Sequence, residues 1–279
     1  MMELTTKQKM RCARIAATVI QFGRKLLLRS KKTRVKRNGI YWNLDLWEAI
    51  DLSIYLTGSF ERSTQKLMLR GLPEDAVVID IGANIGAHTL PLARYLRSGK
   101  VIAIEPTVWA IERLRKNLDL NPSFNERVEL IHCGLVESNS AQLETEIYSS
   151  WRLSGHGHHV HGGVSHSTSG SDAVTLDTLV ERLGLTRIDL IKIDVDGHEY
   201  SVIRGGEKTF SRFRPPLMME WSPHQTVEFG HQPSELMQVL DELGYVPRSL
   251  EQKLLSGTAW SALDDLPSGA SRNVMFIHQ

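Results

Sequence analysis

The sequence predicts an α/β fold, in which a doubly wound, mostly parallel sheet carries helices on both faces and an N-terminal helical cap. Three observations predict it. From residue 74 onward, short apolar runs alternate with segments of helical period. These runs are continuously apolar, which is typical of strands in a parallel sheet that is covered on both faces. The composition, 41% apolar and 23% charged, excludes a wholly disordered chain.

Strands are predicted where four to eight residues form an apolar run, the usual length of a strand. The runs are 76–81, 101–104, 128–131, 188–195, 217–221 and 274–278. No run approaches the roughly 20 apolar residues that a membrane-spanning helix needs. The sequence therefore predicts that this is not an integral membrane protein.

Helices are predicted between these strands. They cover 86–97, 108–120, 233–243 and a segment that begins near Glu199. Pro91 fits the first of these helices only within its first turn, because proline lacks a backbone N–H. In the second helix the apolar residues Ile111, Leu114 and Leu118 recur at helical spacing.

Two segments precede this body. Residues 38–73 are predicted to form a cap, with a short strand or hairpin at 39–46 and a helical stretch at 47–70. Residues 1–37 are predicted to form a basic amphipathic arm, a helical stretch followed by a solvated tail. The body, residues 74–279, is predicted to be the ligand-binding domain.

The arm is strongly basic. Twelve of the 33 Lys and Arg residues and one of the 32 acids fall within it, so its net charge is +11 and that of the remainder is −10. Such a helix can lie on an anionic membrane surface, or pack on the body with its bases in water. Nucleic acid is disfavoured, because no aromatic-rich basic patch accompanies the charge.

The two cysteines, Cys12 and Cys133, are too few for a disulfide framework and are expected to be free thiols. We therefore expect a cytoplasmic protein, peripheral at the membrane if the arm binds there. The sequence leaves the oligomeric state open.

A glycine-containing turn follows the first strand of the body. It reads DIGANIG, and its candidate ligand-binding residues are Asp80, Gly82, Ala83, Asn84 and Gly86. The first glycine allows a tight turn and a close approach of the backbone to a ligand, and the last allows a helix to begin nearby. In doubly wound sheets, ligands bind at this end of the strands.

The second strand ends at Glu105, which is followed by Pro106, and a carboxylate there can accept both hydroxyls of a ribose. The dinucleotide pattern G-x-G-x-x-G is absent, and Asp80 would repel a pyrophosphate, which argues against a nicotinamide-dependent oxidoreductase. The same negative charge favours a nucleoside that carries an ammonium and a sulfonium group. The turn therefore predicts S-adenosylmethionine (S-adenosyl-L-methionine) as the cofactor.

A second polar cluster follows the fourth strand, where residues 192–199 read KIDVDGHE. Together with DIGANIG, Glu105-Pro106 and the TLD at 175–177, this segment resembles the FkbM-type methyltransferases. The similarity covers residues 74–225, and residues 53–61 resemble the stretch that precedes the family's domain. One departure is Asp196, where the family usually has glutamate.

The resemblance implies a class I, Rossmann-like methyltransferase fold and methyl transfer from S-adenosylmethionine, most often to a hydroxyl group. An acceptor hydroxyl must lose its proton. His198 is the first candidate base, because histidine titrates nearest neutral pH, and Asp194 is the second. Glu199 and Glu220 are predicted to hold the acceptor or shape its pocket, although an acid at position 199 also suits a helix N-terminus.

From the cap, Phe60 and Glu61 are predicted to close over the cofactor. The expected function is O-methylation of a hydroxyl on a sugar, a lipid-linked glycan or a natural product, so the partner is a small-molecule or glycan acceptor. Two alternatives stay open: N-methylation, and a membrane- or RNA-binding module built on an inactive methyltransferase body.

Five of the eleven histidines lie in residues 155–166. Their spacing matches no standard zinc pattern and no cysteine joins them, so no metal site is assigned. An acceptor-binding loop and a surface loop both remain open interpretations of this segment.

Overall fold

The computed structural model describes residues 32–153, 163–248 and 269–279, with single positions at 14, 15, 18, 263 and 266. Its strands are β1 (Lys32–Arg37), β2 (Ile40–Asp45), β3 (Val77–Ile81), β4 (Lys100–Ile104), β5 (Val128–Ile131), β6 (Cys133–Leu135), β7 (Glu146–Ser150), β8 (Val164–Ser167), β9 (Asp172–Val174), β10 (Leu190–Ile193), β11 (Leu217–Trp221), β12 (Tyr245–Arg248) and β13 (Arg272–His278). Its helices are α1 (Ala49–Thr57), α2 (Arg62–Met68), α3 (Thr89–Tyr95), α4 (Val108–Asp119), α5 (Leu176–Arg182), α6 (Glu199–Arg204), α7 (Glu207–Phe213), α8 (Pro223–Glu228) and α9 (Pro233–Glu242), with a 3-10 helix at Pro122–Arg127.

Seven of these strands form the central sheet, in the order β12-β13-β11-β10-β3-β4-β5. Neighbouring strands from β11 to β5 are parallel, and β13 runs antiparallel to both β11 and β12. Strands β3, β4 and β5 follow one another towards one edge of the sheet, and the chain then returns to β10, on the other side of β3. The switch point therefore lies between β3 and β10, where doubly wound sheets bind ligands. The predicted fold class is confirmed.

Both faces of the sheet are buried. Ile79, Ile81 and Ile102 belong to one apolar cluster, and Val78 and Val101 belong to the cluster on the opposite face. Successive side chains of a strand point to opposite faces, so a strand covered on both sides is apolar at every position. This is the physical reason for the continuous apolar runs in the sequence.

The predicted strands and helices recur with small shifts in their ends. Strands β5 and β11 have the predicted bounds, whereas β10 is shorter than the run 188–195. Helix α3 begins at Thr89, which leaves Pro91 in its first turn. Strands β6 to β9 and β12 carry no long apolar run and were not predicted.

The cap differs from the prediction in two ways. Strand β1 pairs antiparallel with β2, so the prediction of a solvated tail is wrong for Lys32–Arg37. The hairpin buries the side chains of Ile40, Trp42 and Leu44, which accounts for this pairing. The helical stretch 47–70 is two helices, α1 and α2, separated by a turn in which Gly58 and Glu61 have positive φ angles.

Residues 1–31 lie outside the described part of the chain, apart from three single positions. Residues 154–162, which include most of the histidine-rich segment, also lie outside it. At the end of that segment, β8 pairs with β7 as a hairpin. Among the residues that the structure describes, no helix combines the length and hydropathy that a membrane crossing requires.

Candidate active site

The turn after β3 brings the backbone against β10. Gly82 has a φ of +73°, and a Cβ atom at this position would meet the carbonyl oxygen of Asp194 at 1.9 Å. The amides of Gly82 and Ala83 both donate to the carbonyl of Ile104 at 3.0 Å. Only glycine fits here, because both the φ angle and the close approach exclude a side chain.

A buried lysine joins these two strands. The Nζ of Lys192 lies 2.9 Å from the carbonyl oxygen of Gly82, 3.3 Å from Asp80 Oδ1 and 3.4 Å from Asp194 Oδ2. Burial opposes the charge of Lys192, but the carboxylates of Asp194, Asp80 and Glu61 outweigh it, so its pKa is raised. Lys192 was not predicted as a site residue, although a lysine inside the apolar run Ile-Lys-Ile was a visible signal.

Two residues of the predicted turn have other roles. Asp80 is fully buried; its Oδ2 accepts from Thr89 Oγ1 at 2.6 Å, and Lys192 compensates its charge. The prediction that Asp80 faces the ligand is therefore corrected: it faces the lysine. Gly86 makes room for apolar packing, because a Cβ there would meet Leu90 and Leu114 within 2.4 Å.

Two cavities flank the turn. The larger, of about 410 Å³, is lined on the body side by Gly82, Ala83, Asn84, Ala87, His88, Trp151, Lys192, Asp194, Asp196, Glu220, His224, Gln225 and Ser271, and on the cap side by Ala49, Ile50, Ser53, Phe60 and Glu61. The smaller, of about 60 Å³, lies towards β4 and is lined by residues that include Glu105, Pro106, Tyr148 and His198. Gly82, Asn84, Asp194 and Asp196 line both cavities, so the two are neighbours along the strand ends.

Three carboxylates converge in the larger cavity. Oxygens of Asp194, Asp196 and Glu220 lie within 4.8 Å of one another, a spacing that a divalent cation could also bridge. Burial, followed by repulsion from Asp194, raises the pKa of both Asp196 and Glu220 well above the ordinary range. Gln225 donates to Asp196 at 3.2 Å, and Ser271 donates to Glu220 at 2.5 Å. The cavity is therefore acidic and favours a positively charged ligand.

Glu105 organises the other end of the site. Its Oε2 accepts from the amide of Asn84 at 2.9 Å, and its Oε1 accepts from the amide and hydroxyl of Thr107. The Asn84 side chain in turn donates to the carbonyl of Ser149 in β7, so this hairpin covers the same end. Burial raises the pKa of Glu105, although these hydrogen bonds act to lower it.

The two predicted residues at the start of α6 lie away from the larger cavity. His198 lines the smaller one, with Nδ1 3.1 Å from the carbonyl oxygen of Val195 and Nε2 3.6 Å from Glu144. Glu199 is buried, and its Oε1 accepts from the amides of Val195 and Gly197. Glu199 therefore stabilises the loop and lines neither cavity, as a helix N-terminal acid would.

A histidine that was not predicted lines the larger cavity. His88 is buried and its Nε2 lies 3.4 Å from Glu61 Oε2, but neither ring nitrogen has a partner with hydrogen-bond geometry in the described part of the chain. Asn273 donates to the same Glu61 oxygen at 2.8 Å. Burial acts to raise the pKa of Glu61, but His88 and the neighbouring groups lower it overall.

These groups fit S-adenosylmethionine. The Gly82 turn lines both cavities, Glu105 is a ribose-type acceptor, and Asp194 supplies negative charge for an ammonium or a sulfonium. Phe60 and Glu61 line the cavity from the cap.

Comparison with known proteins also indicates a methyltransferase. The family model for the methyltransferase FkbM domain matches residues 80–247, more than half of the chain. The methyltransferase sdnD of Sordaria araneosa is 28% identical over 185 residues, which are 56% of this chain and 70% of that protein. The hexuronic acid methyltransferase AglP of Haloferax volcanii is 30% identical over 148 residues, 52% of this chain and 56% of that protein.

Among solved structures, a methyltransferase FkbM from Methylobacillus flagellatus aligns with a TM-score of 0.44 and 17% identity, over 81% of this chain and 52% of that one. The family assignment rests on the match to residues 80–247, which contains both sequence motifs, all of β4, β5, β10 and β11, and parts of β3 and β12. The chain belongs to the FkbM family of methyltransferases, and its cofactor is S-adenosylmethionine.

Proposed function

We propose that this protein transfers the methyl group of S-adenosylmethionine to a hydroxyl of a sugar, a lipid-linked glycan or a natural product. The observation that carries the proposal is the larger cavity, in which the Gly82 turn and three carboxylates share one wall. A polyhydroxylated acceptor is bound well by carboxylates, because each can accept hydrogen bonds from two hydroxyls.

The cofactor would be held by the turn and the strand ends around it. We assign the backbone of Gly82, Ala83 and Asn84 to its close contacts, Glu105 and Pro106 to the ribose end, and Asp194 to the charged end. When bound, the cofactor supplies an activated methyl group at a sulfonium centre. The protein's task is then to align the acceptor oxygen, which can contribute several orders of magnitude in rate.

Asp196 and Glu220 are assigned to the acceptor. The raised pKa of each group favours its protonated form, and a pair that holds one proton can donate as well as accept hydrogen bonds. Two hydroxyls of a sugar ring need this mixture of donors and acceptors. AglP, a hexuronic acid methyltransferase by name, supports an acceptor of the sugar class.

The first experiment is calorimetric titration of the purified protein with S-adenosylmethionine and, separately, with NAD. The second is transfer of a radiolabelled methyl group to a panel of sugars, polyols and amines. Asp194→Ala should lower transfer at least about 100-fold, because it removes the carboxylate that lines both cavities. Asp241→Ala, an exposed change in α9, is the matched control and should stay within about twofold. Equal turnover of the two variants would refute the assigned site.

N-methylation is the second candidate, and the acidic lining favours it, because carboxylates also bind an ammonium group. NMR analysis of the methylated product separates the two, since a methyl group on oxygen and one on nitrogen have distinct carbon chemical shifts.

We also keep the proposal that the arm lies on an anionic membrane surface. The exposed face of β1 carries Lys32, Arg34 and Lys36 and continues the basic charge of the arm. Co-sedimentation with anionic liposomes should fall when residues 1–31 are deleted, a truncation that spares the hairpin. Unchanged binding would refute the proposal.

A further inference from the structure

A methyl transfer to a hydroxyl needs a base that receives the acceptor's proton, and the residues assigned to the cofactor and the acceptor do not supply one. His198, the candidate from sequence, lines the small cavity beside Glu105, the ribose end of the site. Its Nδ1 is 3.1 Å from a backbone carbonyl oxygen and its Nε2 faces Glu144. Asp194 is already the partner of Lys192. A different group in the larger cavity has the properties that a base needs.

His88 and Glu61 form a carboxylate–imidazole pair in the wall of the larger cavity. The Nε2 of His88 lies 3.4 Å from Glu61 Oε2, and Phe60 contacts the imidazole with ring centroids 5.9 Å apart. Both ring nitrogens of His88 are buried, and neither has a partner with hydrogen-bond geometry among the described residues. Glu61 is the carboxylate that lies within ion-pair distance of Nε2. A buried, unpartnered ring nitrogen beside a cavity is costly unless a ligand uses it.

The carboxylate of this pair is itself held in place. Asn273 donates to Glu61 Oε2 at 2.8 Å, and Asn273 stands opposite Glu220 in the β11–β13 ladder. The pair therefore lies on the side of the cavity where Glu220 ends β11, across the turn from Glu105. This is the side on which the acceptor is expected, because the ribose end occupies the other.

We propose that His88 is the general base of the methyl transfer and that Glu61 is its positioning residue; the inference rests on the proposed transfer to a hydroxyl. In this assignment Nε2, which lies 3.4 Å from Glu61, carries the ring proton, and the Nδ1 lone pair is the one available to the acceptor. As the acceptor's O–H bond breaks, its proton goes to Nδ1 and the oxygen's electron pair forms the new bond to the methyl carbon. The electron pair of the broken carbon–sulfur bond stays on sulfur. Glu61 stabilises the imidazolium, which then releases its proton to solvent.

Other charged groups act on this imidazole. Lys192 and Asp194 line the cavity from β10, Asp196 follows them, and Glu220 and His224 line it from β11 and α8. Each of these groups, like Glu61, interacts with any charge that forms on the imidazole during the reaction. The pH profile of the reaction therefore reports the whole set, and variants are needed to assign it to His88.

The first test needs no acceptor. Nitrogen-15 NMR of the histidines in the full-length protein, with and without S-adenosylmethionine, should show His88 with its proton on Nε2 and with Nδ1 unprotonated. Glu61→Gln should change this tautomer balance. A proton on Nδ1 in the wild type, or a His88 resonance that ignores Glu61→Gln, would overturn the proposal.

The second test uses whichever hydroxyl acceptor the panel identifies. His88→Gln should lower kcat about 100- to 10,000-fold, remove the acidic limb of the kcat–pH profile and leave the Kd for S-adenosylmethionine within about threefold. Glu61→Gln should shift that limb with a smaller loss of kcat. His231→Gln, a histidine that stacks on Tyr200 outside both cavities, is the control and should match the wild type.

The outcomes separate the two proposals. If His88→Gln weakens cofactor binding and leaves kcat and the pH profile intact, His88 holds the cofactor and is not the base, while O-methylation stands. If the wild type methylates amines and no hydroxyl, the proposed function fails by itself. The tautomer measured by NMR still decides whether Nδ1 is free to accept a proton, so the pair is tested in either case.

Discussion

Replacing Lys192 with methionine tests whether the buried ammonium group compensates the charges of Asp80 and Asp194. The change keeps most of the side-chain volume and removes the ammonium that lies 3.3 Å from Asp80 and 3.4 Å from Asp194. At an effective dielectric constant of about 20, each contact is worth about 5 kcal/mol of Coulomb energy, partly offset by the desolvation of the lysine. Removing one partner from a buried ion pair typically costs about 3 to 5 kcal/mol, because the remaining charge is left uncompensated.

We expect Lys192→Met to lower the free energy of unfolding by that amount, equivalent to a fall in Tm of about 6 to 20 °C for a domain of this size. Differential scanning calorimetry at pH 7 measures it. The double variant Asp80→Asn/Lys192→Met should recover more than half of the loss.

The matched control is Lys100→Met. Lys100 also pairs with a carboxylate, that of Glu129, but both side chains are more than one-third exposed, so the pair is worth at most about 1 kcal/mol. If Lys192→Met melts within 2 °C of this control (a margin of about 1 kcal/mol), or if the double variant recovers nothing, the buried-charge reasoning is refuted.

Three further predictions concern the turn, the loop before α6 and the cap. Gly82→Ala should destabilise the protein by roughly 2 to 5 kcal/mol, because alanine disfavours the positive φ angle and its Cβ would clash with Asp194. Calorimetry should show that the variant no longer binds the cofactor. Retained binding would contradict the close contact between Gly82 and the Asp194 backbone. Burial raises the pKa of Glu199 from 4.5 to about 7, so the folded protein binds a proton that the unfolded chain releases, and stability falls as the pH rises between these values. Glu199→Gln should lack that fall, so its Tm relative to the wild type should rise from pH 5 to pH 7.5; a constant difference would show that Glu199 does not titrate there. Asn121→Ala should cost about 2 kcal/mol in urea unfolding, because the Asn121 side chain makes two hydrogen bonds to the backbone of Tyr41, and an exposed Asn139→Ala should cost far less.

The sequence alone determined the order of strands and helices in the body. A strand covered on both faces is apolar at most of its positions, so β3, β4, β5 and β11 were visible as apolar runs. Gly82 was visible as well, because few residues other than glycine suit a tight turn after such a strand. These are local constraints, in which the residue type and its immediate neighbours decide the conformation.

The tertiary structure decided which polar groups face one another. Asp80 was expected to face the ligand, and only the pairing of β3 with β10 shows that Lys192 stands beside it. His88 and Glu61 are 27 positions apart, and no local pattern predicts that their side chains meet or that Asn273 holds them. Strand β1 is equally dependent on context, because its charged residues form a strand only where β2 offers a partner and a buried face. Secondary structure depends mainly on residue types close together in the sequence. Charge compensation and catalytic geometry depend on contacts between distant segments, which form only when the chain folds.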